Sequence, residues 1–209
     1  MNDLKNKLAG KLIVIDGPDG CGKSTQVRLL ANWLKINRVK VKAFRDPGDT
    51  KIGEKIRKIL LNPAHTVMDT RTELLLYMAA RAQLWQEKIS PALRRNFCVI
   101  LDRWISSTCA YQGFAGGFGI DNVNKLAKNC LERVWPDLTV ILDVDTKTAS
   151  VRLKKNLDRM EQKGTAYHKK VRQGFLKLAK INKGFKVIKA DKNIESIHIE
   201  IIKAVLKLK

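Results

Sequence analysis

The chain has 209 residues, 44% of them hydrophobic, enough for one domain with a packed core and too apolar for a disordered segment. The opening MNDLKNKLAGK lacks the apolar stretch of a secretory leader and no run approaches membrane-spanning length, so a cytoplasmic protein without membrane partners is expected. A formal charge of +21 leaves open a nucleic-acid footprint, polyanionic small substrates, or a lysine-rich proteome.

Leu12–Ile15 is the first of five short runs that read as buried strands. Directly after it, Asp16 to Gln26 reads DGPDGCGKSTQ, with the phosphate-loop spacing G-x-x-x-x-G-K-[ST]. Gly17 and Gly22 let the backbone wrap phosphate oxygens, and the helical segment Ser24–Ile36 adds its positive end. Lys23 is expected to reach the β and γ phosphates of ATP, and Ser24 to offer its hydroxyl to Mg²⁺. Gly17, Pro18, Asp19, Gly20, Cys21, Gly22, Lys23, Ser24 and Thr25 therefore form the expected donor-nucleotide site. None of Cys21, Cys98, Cys109 and Cys130 shows C-x-x-C pairing, so all four read as reduced thiols.

The second strand, Val39–Phe44, alternates lysine with apolar residues and runs into FRDPGDT. Arg45 precedes a Pro-Gly turn, so its side chain leaves the sheet at the carboxyl edge. On the helical segment Arg71–Lys88, Glu73, Tyr77, Arg81 and Trp85 recur every four residues and share a face. That face either stacks and hydrogen-bonds a base or buries aromatics beside a surface arginine. The third strand, Phe97–Leu101, ends at Asp102, which is either a Mg²⁺ carboxylate or a helix cap. Arg103 follows at the crevice where ligands of such sheets bind. Its five fixed donors suit a phosphate.

Two arginines beyond a loop already built for the donor imply a second anion. A nucleoside hydroxyl needs a carboxylate base, whereas a monophosphate, with a second pKa of about 6, is already ionised and needs clamps. The arginines favour a monophosphate acceptor. Asp121–Glu132 reads as helix, Leu138–Val144 and Phe185–Ala190 as strands, and Ile194–Leu208 as helix. Strand and helix in alternation mean a three-layer α/β/α domain with a five-stranded parallel sheet. The two lysine-bearing strands belong at the edges, which gives the order 2-3-1-4-5 across one domain, 1–209.

In order and spacing, GPDGCGKSTQ, FRDPGDT, LLYMAARAQL, DRWISSTCAYQG with GID, PDLTVILDV, and LDRMEQ with HKKVRQGF resemble the thymidylate kinase family over nearly the whole chain. The resemblance implies transfer of the γ-phosphoryl of MgATP to thymidine monophosphate (dTMP) in a homodimer. By that resemblance Asp19 contacts the acceptor sugar's 3′-hydroxyl, Arg45 and Arg103 hold its phosphate, and Tyr77 stacks on thymine. Arg81 hydrogen-bonds the base, Ser107 and Thr108 line the acceptor site, and Tyr111 crowds the 2′ side of the sugar. A short helical lid over about 154–166 closes on ATP. Gly20 stands where one branch of the family has a catalytic arginine, so the charge is expected from Arg152, Lys154, Lys155 or Arg159, with Arg159 matching a family arginine. Asp49 replaces a glycine of the turn, and Trp104 a smaller aromatic. Two rivals are a deoxynucleoside kinase and a nucleic-acid-binding P-loop ATPase. Against the second, the lysines are scattered and form neither a basic tail nor a stripe with stacking aromatics.

Overall fold

The computed structural model describes residues 2–153 and 156–208, so Lys154 and Lys155, two of the expected lid cations, lie outside the described residues. Among the described residues there are five strands: β1 (Leu12–Asp16), β2 (Val41–Arg45), β3 (Cys98–Asp102), β4 (Leu138–Asp143) and β5 (Phe185–Lys189). Every neighbouring pair is parallel and the order is β2-β3-β1-β4-β5, as the lysine pattern requires. The inner strands LIVID and CVILD are buried along their whole length, while the edge strands VKAFR and FKVIK expose their lysines. An edge strand presents unpaired backbone groups, and charged side chains there discourage further pairing.

The helices are α1 (Asn2–Lys7), α2 (Lys23–Ile36), α3 (Lys51–Leu61), α4 (Thr70–Leu84), α5 (Ser90–Arg94), α6 (Ile105–Thr108), α7 (Ile120–Cys130), α8 (Thr146–Arg152), α9 (Gly164–Ile181) and α10 (Ile194–Leu206). Because side chains alternate along a strand, the sheet feeds two separate cores. Leu12, Val14, Val99, Leu101 and Ile141 pack with Leu74 and Met78 of α4 and Val171 and Phe175 of α9. Ile13, Ile15, Ile100, Val140 and Leu142 face the other way, onto Leu30 and Leu34 of α2 and Ile197 and Ile201 of α10. Each such buried side chain contributes roughly 1.5–3 kcal/mol by leaving water.

The expected helix Arg71–Lys88 is shorter than its periodicity suggests. It starts on Asp69, whose carboxylate accepts from the backbone N–H groups of Arg71 and Thr72, and it ends at Leu84. A wide π turn, Trp85–Ile89, then leads into α5. Pro91 has no N–H to continue the ladder, which accounts for the looser turn before it. Trp85 is buried in the core beside Trp104, the same ring that lies against Arg81. A second π turn, Cys109–Ala115, continues α6.

Strand register brings the chemistry to one rim. Asp102 at the end of β3 pairs with Ile15 on one side and Arg45 on the other, and Asp16 pairs with Ile141. The carboxyl ends of β1, β2 and β3 thus finish level, beneath the amino end of α2.

Candidate active site

A cavity of about 750 Å³ opens above this rim. On one side α2 begins at Gly22, which holds a left-handed φ of 92° and supplies no side-chain cap. The unsatisfied N–H groups of a helix start favour an anion, and Gly22, Lys23, Ser24 and Thr25 all line the cavity. Lys23 Nζ donates to the carbonyls of Gly17 (3.1 Å) and Pro18 (2.7 Å). Asp19 and Gly20 also face the cavity, whereas Gly17, Pro18 and Cys21 shape the loop from behind it. At Gly20, φ is 76° and an added Cβ would lie 2.4 Å from the Ala149 carbonyl oxygen of α8.

Ser24 Oγ donates to Asp102 Oδ2 at 2.5 Å. Asp102 caps no helix, because α6 starts at Ile105 with Trp104 at its N-cap. Among the described residues no three His, Cys, Asp or Glu side chains cluster as metal ligands. One hydroxyl beside one carboxylate nonetheless fits Mg²⁺, which keeps waters and takes its other ligands from substrate phosphates.

Across the cavity three guanidinium groups converge, those of Arg45, Arg57 and Arg103. Arg103 has a φ of 72°, unusual outside glycine, and this turns its side chain back over the loop. Its Nη1 donates to the Gly17 carbonyl (3.2 Å) and to Ser107 Oγ (3.0 Å), and its Nη2 pairs with Asp19 Oδ1. Tyr111 Oη donates to the other Asp19 oxygen at 2.6 Å. Burial alone raises the Asp19 carboxyl, yet Arg103 and Lys23 hold it below its ordinary value. Arg45 is half exposed and its Nη2 donates to Glu54 Oε1 at 2.9 Å. Asp49 takes a left-handed φ of 58° and its carboxylate accepts the Arg45 N–H at 2.7 Å. The turn therefore keeps a glycine-like backbone without a glycine.

Arg57 escaped the sequence reading because it lies in KIRK, one cation among several on α3. Burial, then the like charges of Arg45 and Arg103, pull its pKa down, which marks the three as electrostatic neighbours. Glu161 was likewise missed. It lines the cavity beside Asp158, and burial raises its carboxyl.

At the far end Tyr77, Arg81, Ser107, Thr108 and Tyr111 line the wall. Arg81 is 1% exposed. Its Nε and Nη2 bind Asp46 Oδ2 at 2.7 and 2.5 Å, its Nη2 also reaches the Trp104 carbonyl, and its guanidinium lies 5.3 Å from the Trp104 ring. Trp104 is fully buried and its Nε1 donates to the Val134 carbonyl. The larger aromatic thus supports Arg81 and does not itself face the cavity.

One expectation needs correction. Glu73 keeps its place one turn from Tyr77 on α4, but it is 1% exposed and its carboxylate lies 2.6 Å from Arg159 Nη1. Arg159, expected near the transferring group, is accordingly buried behind the cavity wall, with Nε donating to the Leu60 carbonyl at 2.7 Å. Among the described lid cations it is Arg152 that lines the cavity.

A phosphate loop at the end of β1, facing a cluster of arginines across the rim of a 2-3-1-4-5 sheet, defines a P-loop kinase. The family described as Thymidylate kinase matches residues 15–201. A thymidylate kinase of Thermosipho africanus (strain TCF52B) is 44% identical over 190 residues, covering 90% of this chain and 94% of that protein. One from Geobacillus sp. (strain WCH70) is 39% identical over 204 residues, covering 95% and 97%. The crystal structure of thymidylate kinase from Ehrlichia chaffeensis superposes with a TM-score of 0.78 at 32% identity, covering 95% of this chain and 99% of that one. The chain belongs to the thymidylate kinase family.

Proposed function

We propose that this chain transfers the γ-phosphoryl group of ATP to thymidine monophosphate, giving the diphosphate and ADP, with the 209 residues acting as one kinase unit. The observation that carries this reading is the convergence of Arg45, Arg57 and Arg103 opposite the phosphate loop. Asp19 and Glu54 pair with Arg103 and Arg45, yet three cations around one space still favour a further anion, and a nucleotide monophosphate supplies two negative charges near neutrality. The same geometry disfavours a nucleoside acceptor. The only carboxylate of the loop that faces the cavity, Asp19, has both oxygens engaged by Arg103 and Tyr111 and is a poor base.

The donor phosphates lie on the helix start and Lys23, whose ammonium exchanges two loop carbonyls for phosphate oxygens. Mg²⁺, when bound, neutralises charge between the β and γ phosphates, and Ser24 Oγ and Asp102 Oδ2 are the groups that would hold it. Arg103, Arg57 and Arg45 orient the acceptor phosphate in line with the γ phosphorus. Asp19 fixes the sugar, Tyr77 stacks on the base, Arg81 hydrogen-bonds it, and Ser107 and Thr108 complete the wall. Arg152 brings positive charge from the lid side.

The same reading takes the enzyme as a cytoplasmic homodimer. Ile52 and Ile59 lie two turns apart on α3 and both are exposed, as is Leu75 on α4, which supports pairing with a second copy. Among the described residues no helix is long and apolar enough to cross a membrane.

A panel of nucleosides and nucleoside monophosphates with ATP and Mg²⁺ tests the assignment. Thymidine monophosphate is the expected best acceptor, and thymidine itself is expected to be inert. Arg103→Ala is expected to lower kcat/KM by about 1.5–3 kcal/mol, the scale of a hydrogen bond to a charged group. Full activity of that variant, or phosphorylation of thymidine instead, would falsify the acceptor assignment.

A further inference from the structure

Glu73 lies outside the cavity lining, yet it is the buried meeting point of both halves of the site. Its Oε2 lies 2.6 Å from Arg159 Nη1 and 2.9 Å from Lys163 Nζ, and its Oε1 accepts from Gln112 Nε2 at 2.7 Å. Burial alone would raise this carboxyl, but Gln112 and Lys163 hold it ionised. Two further bonds tie Arg159 to the end of α3, Nε to the Leu60 carbonyl (2.7 Å) and backbone N–H to the Leu61 carbonyl (3.1 Å). The segment Asp158–Lys163 is thus fastened to the end of α3 and the start of α4. Those helices carry Arg57, Tyr77 and Arg81, which face the acceptor half. The fastened segment itself carries Asp158, Met160 and Glu161, which line the cavity beside Arg152 and the phosphate loop.

We propose that Glu73 is a positioning residue that couples donor binding to acceptor binding, by holding Arg159 and Lys163 so that α3, α4 and the lid-side segment move as one body. The inference rests on the kinase reading above. A neutral side chain at position 73 would remove the ionic part of the tie between the two halves, leaving Arg159 its bonds to the Leu60 and Leu61 carbonyls. Coupling between two ligands is reciprocal, so it reads equally from either side.

The test measures the Kd of thymidine monophosphate by calorimetry, with and without a non-hydrolysable ATP analogue and Mg²⁺. In the wild type the analogue is expected to tighten acceptor binding by a factor in the usual range of about 5 to 150. In Glu73→Gln that factor is expected to fall to about two or less, with each separate Kd within about threefold of wild type. The double variant Glu73→Met with Arg159→Met replaces the pair by apolar side chains, which keeps the interior packed without an unpaired charge, and the same loss is expected. A wild-type protein that fails to bind thymidine monophosphate overturns the kinase reading and this inference with it. Wild-type coupling that persists undiminished in a folded variant overturns the inference alone.

Discussion

The Asp16 carboxylate accepts the Ser107 hydroxyl at 2.6 Å. The Ser107 proton is committed to that carboxylate, so the hydroxyl's lone pairs face outward, where Arg103 Nη1 donates at 3.0 Å. A buried carboxylate at the end of β1 thus orients Arg103 through one hydroxyl. Ser107→Ala is expected to lower kcat/KM for thymidine monophosphate by about 1 kcal/mol, the net worth of one hydrogen bond. Steady-state kinetics with each substrate varied checks it, and the KM for ATP is expected to stay within about twofold.

Arg57 carries the clearest mutational consequence of the structure. Arg57→Ala removes one of three cations around the acceptor phosphate and is expected to lower kcat/KM by about 1.5–3 kcal/mol. Its Nη1 also donates to the Pro47 carbonyl, so a paired measurement of thermal stability separates positioning of the turn from phosphate binding. A loss confined to Tm, with full kcat/KM, would count against the three-arginine acceptor site.

Gly20→Ala meets two obstacles together. A left-handed backbone and a Cβ directed at the Ala149 carbonyl oxygen, 2.4 Å away, both oppose the substitution. Stability is expected to fall by roughly 1–3 kcal/mol, the scale of a strained residue, and activity to fall as the loop is displaced. Denaturant titration alongside kinetics reads both effects.

Acid titration follows from Glu73 and Asp19. Both folded-state pKa values lie below the ordinary carboxylate value, so the folded state favours the ionised forms. Their contribution is complete above the unfolded values, about 4.3 for Glu and 3.9 for Asp, and is lost as pH falls through the lower folded values. Wild-type Tm is therefore expected to drop below about pH 4, and Glu73→Gln to show a shallower drop over that range. Equal slopes in the two proteins would remove Glu73 from the account.

The strand order was legible because lysine alternation marks VKVKAF and FKVIKA as edges, a purely local signal. The phosphate loop, Ser24 with Asp102, and the cavity positions of Arg45 and Arg103 were legible because strand ends fix where their side chains emerge, whereas Tyr77 and Arg81, on α4, were placed by the family resemblance. Three features were not. Arg57 depends on how α3 packs after the turn, and no spacing rule separates it from its lysine neighbours. The Glu73–Arg159 contact joins distant parts of the chain, and helical periodicity reports only neighbours within one helix. The π turn at Trp85–Ile89 ends the regular helix at Leu84 because Pro91 withholds an N–H, which the apolar periodicity does not register.

The obstacle above Gly20 is main chain, so no choice of side chain at position 149 can remove it. An arginine in the loop would need α8 itself to be re-sited, along with Arg152 at its end. On the proposed kinase reading, a chain built this way draws its extra positive charge from outside the loop.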